Sequence, residues 1–188
     1  PRYDREQLRS RIVHFGFGAF HRAHQALLTN RVLNAKGGDW GICEISLFSG
    51  DVLMGQLRAQ DHLFTVLEKG AEGNQPIIIG AVKECLNAKL DSLAAIIEKF
   101  CEPQVAIVSL TITEKGYCID PATGKLDMRN SRILHDLEHP SEPHSAPGIL
   151  VEALHRRRER GLPAFTVLSC DNIPDNGHVV KNAVLGMA

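Results

Sequence analysis

The stretch IVHFGFGAFHRAH, residues 12–24, decides the fold of this chain. Its apolar beginning predicts a short buried strand over residues 11–15. The spacing after the Gly16-Phe17-Gly18 turn predicts a helix over residues 19–35. A strand that passes through a glycine turn into a helix directs free backbone N–H groups and the positive end of the helix dipole at one point. Such a point suits a phosphate group.

The two glycines of this turn have separate roles in the prediction. Gly16 would allow the tight turn, and Gly18 would allow the close approach of a pyrophosphate. The third glycine of the pattern G-x-G-x-x-G is replaced by His21. On spacing alone, an ordinary strand-to-helix turn is therefore as acceptable as a dinucleotide site.

The composition is that of a globular protein with one sizeable core. The 188 residues are 44% hydrophobic and 23% charged, with a formal net charge of −1. This balance gives no reason to expect a nucleic-acid partner or an anionic membrane, and no apolar run is long enough to span one. Five cysteines without a C-x-x-C pair predict reduced thiols and a cytoplasmic location.

Both ends of the sequence predict a piece of a longer chain. Pro1 is not an initiator residue, and residues 177–188 are typical of a helix that has no stop signal. We therefore expect one domain over residues 1–188 and further sequence outside it.

Strands and helices alternate along the chain. Apolar runs predict further buried strands over residues 40–48, 105–110 and 165–169. Apolar spacing predicts helices over residues 52–59, 90–100, 131–137 and 147–160, and from residue 177 onward. Two strand-like runs, residues 62–68 and 76–82, are joined by a polar linker over residues 69–75 and predict an antiparallel hairpin. The fold class is α/β, with a mostly parallel sheet and an inserted hairpin.

Three loops should meet at one edge of this sheet, since the carboxyl ends of parallel strands share an edge. They are residues 16–22, 111–117 and 169–177. Within the second loop, we expect four side chains to lie where a ligand would bind: Thr111, Thr113, Glu114 and Tyr117.

Asp51 follows the second predicted strand, where a carboxylate can accept hydrogen bonds from the ribose hydroxyls of a dinucleotide and repel a 2′-phosphate. Glu44, within that strand, is a rival for this role, and capping of the next helix is the structural alternative for Asp51. Asn172 is a candidate donor to a developing oxyanion, because a neutral amide at a sheet edge can donate a hydrogen bond. Its alternative is a loop residue that bonds its own backbone.

Other reactive residue types favour structural interpretations. His14, His21 and His24 suggest zinc, but we find no cysteine or carboxylate at matched spacing and expect no metal. Cys118 and Cys170 lack a recognisable base partner for nucleophilic catalysis. The basic run over residues 155–160 favours a solvated helix end over a phosphate site.

Three motifs together raise the specificity of the prediction. They are GFGAFHRAHQA (residues 16–26), SLTITEKGYC (residues 109–118) and SCDNIPDNG (residues 169–177). With compatible spacing over residues 12–188, they resemble the long-chain mannitol dehydrogenase family of polyol-specific enzymes. The resemblance implies a zinc-independent, NAD-dependent enzyme. Residues 1–188 would be its Rossmann-like, doubly wound domain, and a second, helical domain would lie outside this chain.

The resemblance also implies roles for particular residues. Asn172 would stabilise the alkoxide, while the catalytic lysine would lie in the missing domain. The implied cofactor-binding residues are Gly16, Gly18, Ala19, Phe20, Arg22, Asp51, Thr111 and Glu114. The expected substrate pair is D-mannonate and D-fructuronate. Mannitol or arabinitol oxidation, a non-catalytic nucleotide-binding module and an NAD sensor are the alternatives. The preference for NAD over NADP rests on Asp51 and on the resemblance.

Overall fold

The computed structural model describes residues 1–47, 49–71 and 73–188. Their seven strands are β1 Arg9–Phe15, β2 Trp40–Ser46, β3 Phe64–Gly70, β4 Gly73–Ile79, β5 Val82–Asn87, β6 Ile107–Leu110 and β7 Thr166–Ser169. Their nine α-helices are α1 Ala19–Ala23, α2 Gln25–Lys36, α3 Asp51–Ala59, α4 Ala88–Asp91, α5 Leu93–Phe100, α6 Thr113–Gly116, α7 Ser131–Glu138, α8 Ala146–Glu159 and α9 Asn176–Met187. None of these helices is both long and apolar enough to cross a membrane.

Five of the strands form one parallel sheet in the order β5-β2-β1-β6-β7. The chain runs outward from β1 through β2 to β5, and then returns to the other side of β1 for β6 and β7. The direction of winding therefore reverses between β1 and β6. In doubly wound sheets, the crevice at such a reversal is where ligands bind. The predicted α/β class and parallel sheet are confirmed.

The sheet is buried on both faces, as its apolar strands predict. On one face, Val13 and Phe15 of β1 pack in a cluster with Phe100 of α5 and with residues of α8 and α9. On the other face, Ile12 packs with Leu27 of α2 and with the hairpin residue Ile79. Successive residues of β1 thus serve opposite layers, in keeping with the period of two of a strand.

The hairpin is present, but the predicted bounds of its strands were wrong. β3 and β4 pair as a separate two-stranded sheet, and most of the predicted linker, residues 69–75, belongs to these strands. The predicted strand over residues 76–82 joins the end of β4 to the start of β5. Apolar residues continue through residues 80 and 81, which separate β4 from β5, so hydrophobicity alone could not reveal the boundary. β5 itself was missed, because its middle carries the polar pair Lys83 and Glu84.

Two predicted helices are each divided in the structure. The helix expected over residues 19–35 breaks at His24, whose φ is −119° and ψ is −91°. The helix expected over residues 90–100 breaks at Ser92, which has a φ of 86° and accepts a hydrogen bond from the Ala95 N–H as the cap of α5. Phe48, which was predicted to end the second strand, lies outside the described residues.

The basic run at the end of α8 is not simply a solvated helix end. Arg157 is 1% exposed, and its guanidinium donates to four carbonyl oxygens, those of Phe100, Glu102, Val105 and Pro163. Arg156 and Arg160 instead form ion pairs with Glu98 of α5. The run therefore fastens α8 to the segment between α5 and β6.

Candidate functional site

The carboxyl ends of the five parallel strands lie along one edge, which carries the predicted site residues and also Lys89, which was not predicted. In spatial order, Lys89 follows β5, Asp51 follows β2, Gly16 follows β1, Thr111 follows β6 and Asn172 follows β7. The predicted meeting of three loops at this edge is confirmed by the contacts described below.

The first contact joins the glycine turn to β6. Thr111 Oγ1 lies 2.9 Å from the Gly16 carbonyl oxygen, and the Gly16 N–H donates to the Ile45 carbonyl oxygen at 3.0 Å. Gly16 has a φ of 107°, and a Cβ at this position would lie 2.3 Å from the Thr111 carbonyl oxygen. Only glycine fits here without movement of the backbone. The sharp turn after β1 is thus fixed by its neighbouring strands.

Gly18 differs from Gly16 in its surroundings. It precedes α1 with an ordinary φ of −82°, and a Cβ here would meet no atom of the described residues within 4 Å. Gly18 and Ala19 are exposed, and no side chain in the described part of the chain caps the helix at this position. The first N–H groups of α1 are therefore open to a ligand. Arg22 lies beside the turn, with its guanidinium carbon 5.3 Å from the centre of the Phe17 ring.

His14 supports the glycine turn from below. It is fully buried, with Nδ1 2.7 Å from Ser109 Oγ, and Nε2 2.9 Å from Thr111 Oγ1 and 3.2 Å from the Gly16 carbonyl oxygen. Ser109 continues the network by donating to Gln25 Oε1 at 2.8 Å. Burial lowers the pKa of His14 well below its usual range, and the adjacent His21 lowers it further. A neutral imidazole therefore links β1, β6 and the turn.

His21, at the position of the missing third glycine, contacts β2. Its ring stacks on that of His14 with centroids 3.5 Å apart, and its Nε2 lies 2.7 Å from Glu44 Oε1. Both Glu44 and His21 are buried, so Glu44 is no longer a candidate for an exposed ribose contact. A polar buried contact thus replaces the close helix–strand approach that a glycine would permit.

His14, His21 and Glu44 are also the residues to consider for the zinc site that the histidines suggest. Among the described residues, His14, His21 and Glu44 have donor atoms within 4.8 Å of one another, whereas His24 is exposed and outside the group. Sequence spacing did not reveal the carboxylate beside these histidines, because Glu44 comes from the neighbouring strand β2. Both His14 nitrogens already contact protein oxygens, and the imidazole rings are stacked, which favours a structural network over a metal centre.

The second contact joins the loops after β6 and β7 through Asp171. This buried side chain accepts hydrogen bonds from the backbone N–H groups of Ile112 at 3.1 Å and Thr113 at 2.9 Å. It also accepts one from the Tyr117 hydroxyl at 2.7 Å. Tyr117 is 1% exposed and Ser169 Oγ lies 2.8 Å from its hydroxyl. We call Asp171 and the three groups that it binds, on Ile112, Thr113 and Tyr117, the Asp171 clamp. Tyr117 therefore belongs to this clamp and is not the open ligand position that was expected.

The clamp holds a strained backbone next to two exposed candidates. Thr113 has a φ of 64°, which is unfavourable for a β-branched residue, and its N–H is one of those bound by Asp171. Glu114 and Asn172, the neighbours of Thr113 and Asp171, are both exposed at the sheet edge. The buried groups thus fix the backbone while the polar side chains beside them face solvent.

The cysteines near these loops do not gain nucleophilic character. Burial raises the pKa of the Cys118 thiol, and burial also raises that of Cys170. Both thiols are therefore protonated at neutral pH, in keeping with the structural interpretation.

Asp51 is the first residue of α3 and is partly exposed. Its Oδ1 lies 3.1 Å from Lys89 Nζ, and this hydrogen bond lowers the pKa of Asp51 below its usual value. Phe20, on the other side of Gly18, is 52% exposed and stacks on His24 with centroids 5.4 Å apart.

Comparison with known proteins agrees with this geometry. Residues 10–188 match the family model described as the mannitol dehydrogenase Rossmann domain. The chain belongs to the mannitol dehydrogenase family. The predicted resemblance and the Rossmann-like fold are both confirmed.

Individual relatives in this family cover the whole chain. It is 88% identical to the uncharacterized oxidoreductase YeiQ and 56% identical to D-mannonate oxidoreductase, both from Escherichia coli strain K12. The solved ternary complex of Pseudomonas fluorescens mannitol 2-dehydrogenase with NAD and D-mannitol superposes with a TM-score of 0.94 at 44% identity. The chain spans 38%, 39% and 38% of the length of these three proteins, respectively.

Sequence reasoning missed the residues that support the site. Asp171 stands directly before Asn172, but a loop carboxylate in a sequence gives no sign of burial, and the buried position of Asp171 is seen only in the structure. Lys89 and the pairing of His21 with Glu44 gave no local signal, because each contact joins residues far apart in the sequence.

Proposed function

We propose that this protein is an NAD-dependent dehydrogenase acting on the secondary alcohol of a sugar acid or polyol, and that residues 1–188 bind the cofactor. The observation that carries the proposal is the open N-terminus of α1 at the switch point of the sheet, in a chain that belongs to the mannitol dehydrogenase family. Gly18 offers the space, and the first N–H groups of α1 offer the donors, that a pyrophosphate needs.

The other proposed contacts follow the order of the strands. Asp51, after β2, would accept hydrogen bonds from the adenosine ribose. Arg22 and the exposed Phe20 and Ala19 would lie along the phosphates, while Thr111 and Glu114, after β6, would border the nicotinamide. The residues fit the cofactor, because this edge combines open backbone donors in the centre with a carboxylate at one end and exposed polar side chains at the other.

The proposed chemistry divides between cofactor and protein. When bound, the nicotinamide supplies the acceptor for a hydride from the alcohol carbon. Asn172 would donate an amide hydrogen bond to the substrate oxygen as negative charge develops on it. A lysine of the second domain would take the hydroxyl proton. The Asp171 clamp would keep the backbone next to Asn172 in place throughout.

We further propose D-mannonate and D-fructuronate as the substrate pair. The support is the 56% identity to D-mannonate oxidoreductase, compared with 44% to the solved mannitol 2-dehydrogenase. Mannitol or arabinitol is the second candidate, since a substrate carboxylate would be recognised by residues outside this chain. The free cysteines support a reducing, cytoplasmic compartment.

The test is NADH oxidation by the full-length protein with fructuronate and fructose compared in parallel. Turnover with fructuronate alone supports the mannonate assignment, whereas turnover with fructose alone supports the mannitol alternative. NADH binding without turnover on either ketone, or on other keto sugars, would favour a non-catalytic module.

Asn172→Ala tests the proposed catalytic role. We expect kcat to fall about hundredfold, as for other oxyanion donors, with little change in the affinity for NADH. The matched control is Asn182→Ala, an exposed asparagine on α9. An unchanged kcat in the Asn172 variant would remove this residue from the mechanism.

A further inference from the structure

Asp51 has a cation beside it that the sequence gives no reason to expect. Lys89, from the start of α4, lies 38 residues further along the chain, yet its Nζ is 3.1 Å from Asp51 Oδ1. Both side chains remain partly exposed, with 57% of Lys89 and 37% of Asp51 accessible to solvent. A ligand that reaches Asp51 would therefore also meet the Lys89 ammonium group.

A buried asparagine brings the two residues together. Asn87 is fully buried at the end of β5, and its Nδ2 donates to the carbonyl oxygens of Ser46 and Ser49, at 3.1 Å each. Its Oδ1 accepts the Lys89 backbone N–H at 3.0 Å as the cap of α4. One side chain thus ties the loop that precedes α3 to the first turn of α4, so the backbone positions of Asp51 and Lys89 are coupled.

We propose that Lys89 is a specificity residue for the adenosine ribose, and that its ammonium group lets the site accept a 2′-phosphate as well as a 2′-hydroxyl. This inference rests on the proposed function, in which Asp51 accepts hydrogen bonds from the ribose. A carboxylate alone at this place repels a 2′-phosphate. Lys89 offsets part of that charge and offers N–H donors to phosphate oxygens.

The predicted preference follows from this pairing. NADH is bound through Asp51, whose negative charge makes the binding of NADPH weaker than that of NADH. The ammonium group of Lys89 offsets part of this repulsion, so that the affinity for NADPH is not negligible. Loss of the lysine charge should therefore act on the two cofactors unequally, because only NADPH places a negative group beside it.

The experiment is a calorimetric titration of the full-length protein with NADH and with NADPH at one fixed ionic strength. Lys89→Met keeps the length of the side chain and removes its charge. We expect the Kd for NADPH to rise roughly five- to tenfold and the Kd for NADH to change less than about twofold. Lys36→Met, at an exposed lysine in the last turn of α2 near the opposite edge of the sheet, should leave both values unchanged.

An unchanged ratio of the two Kd values in Lys89→Met would overturn the inference. An equal loss of both affinities would also overturn it, because it would mean that Lys89 only orients Asp51. The Asp51→Asn variant distinguishes a failure of the inference about Lys89 from a failure of the proposed function. If Asp51→Asn narrows the preference for NADH over NADPH while Lys89→Met leaves that preference unchanged, the ribose assignment stands and the role of Lys89 falls. If the wild-type protein binds neither cofactor, both proposals fall.

Discussion

The glycine turn after β1 and the loop pair after β6 and β7 are both held from below by buried polar groups, but in different ways. Beneath the turn, the neutral His14 side chain forms a network with the hydroxyls of Ser109 and Thr111, and Ser109 extends it to the amide of Gln25. Beneath the loop pair, a single carboxylate accepts all three hydrogen bonds. The first support is distributed and the second is concentrated in one residue. The two regions should therefore differ in their response to mutation and to pH.

In both regions the supporting groups are buried, and the groups proposed to contact cofactor or substrate are exposed. His14 and Asp171 are enclosed, whereas Gly18, Glu114 and Asn172 face solvent at the sheet edge. This division lets the supporting groups fix the backbone without blocking a ligand. It also means that changes at the exposed positions should affect binding or turnover more than stability.

The largest loss of stability is expected for Asp171→Leu. This change leaves two backbone N–H groups and the Tyr117 hydroxyl without an acceptor, which should cost about 3 to 5 kcal/mol in the free energy of unfolding. It also removes the hydrogen bond that stabilises the strained Thr113. Urea unfolding followed by circular dichroism measures this loss.

Asp171→Asn is the matched variant for this comparison. Its amide oxygen can still accept, so we expect a loss of about 1 to 2 kcal/mol, clearly smaller than that of Asp171→Leu. Equal and small losses in the two variants would show that the support of the loop pair is not concentrated in this carboxylate.

A smaller, pH-dependent effect is expected from His14. Burial depresses its pKa in the folded protein, whereas in the unfolded chain it takes up a proton below about pH 6.5. The unfolded state therefore binds more protons in this range, and stability falls as the pH drops below about 6.5. His14 should therefore contribute to a loss of stability between pH 7 and pH 5.

The measurement compares the slope of unfolding free energy against pH in the wild type and in His14→Gln, which cannot titrate. The slope below pH 6.5 should be reduced in this variant. The exposed His24→Gln variant serves as the control and should keep the wild-type slope. A wild-type slope in His14→Gln would mean that the histidine is not the pH-sensitive part of the turn.

The fold was predictable where a local pattern carried the information. The apolar strands β1, β6 and β7 and the helices α7 and α8 follow from hydrophobic spacing and turn residues. β5 did not follow, because an edge strand with polar residues in its middle has no continuous apolar run. The predicted bounds of the hairpin strands were wrong for the opposite reason, since apolar residues continue across the two residues that separate β4 from β5.

The candidate site divides in the same way. Gly16, Asp51 and Asn172 could be singled out because they stand at recognisable positions after strands. The groups that support them could not, since the contacts of His21 with Glu44 and of Asp51 with Lys89 depend on which strands become neighbours. Local sequence thus predicts the exposed groups at strand ends, and the strand order decides the buried supports.

The most direct test of the central claim, that the turn after β1 receives the pyrophosphate of NAD, is an NADH titration of Gly18→Val. Because a Cβ at Gly18 meets nothing within 4 Å among residues 1–47, 49–71 and 73–188, the variant should fold with a stability change of less than about 1 kcal/mol. The valine side chain would occupy the space of the phosphates. Gly55→Val, at an exposed glycine of α3 with equally open surroundings, is the control.

The account predicts that Gly18→Val stays folded and loses at least about tenfold in affinity for NADH, while Gly55→Val keeps the wild-type Kd. A folded Gly18→Val protein that binds NADH as tightly as the wild type would contradict the claim.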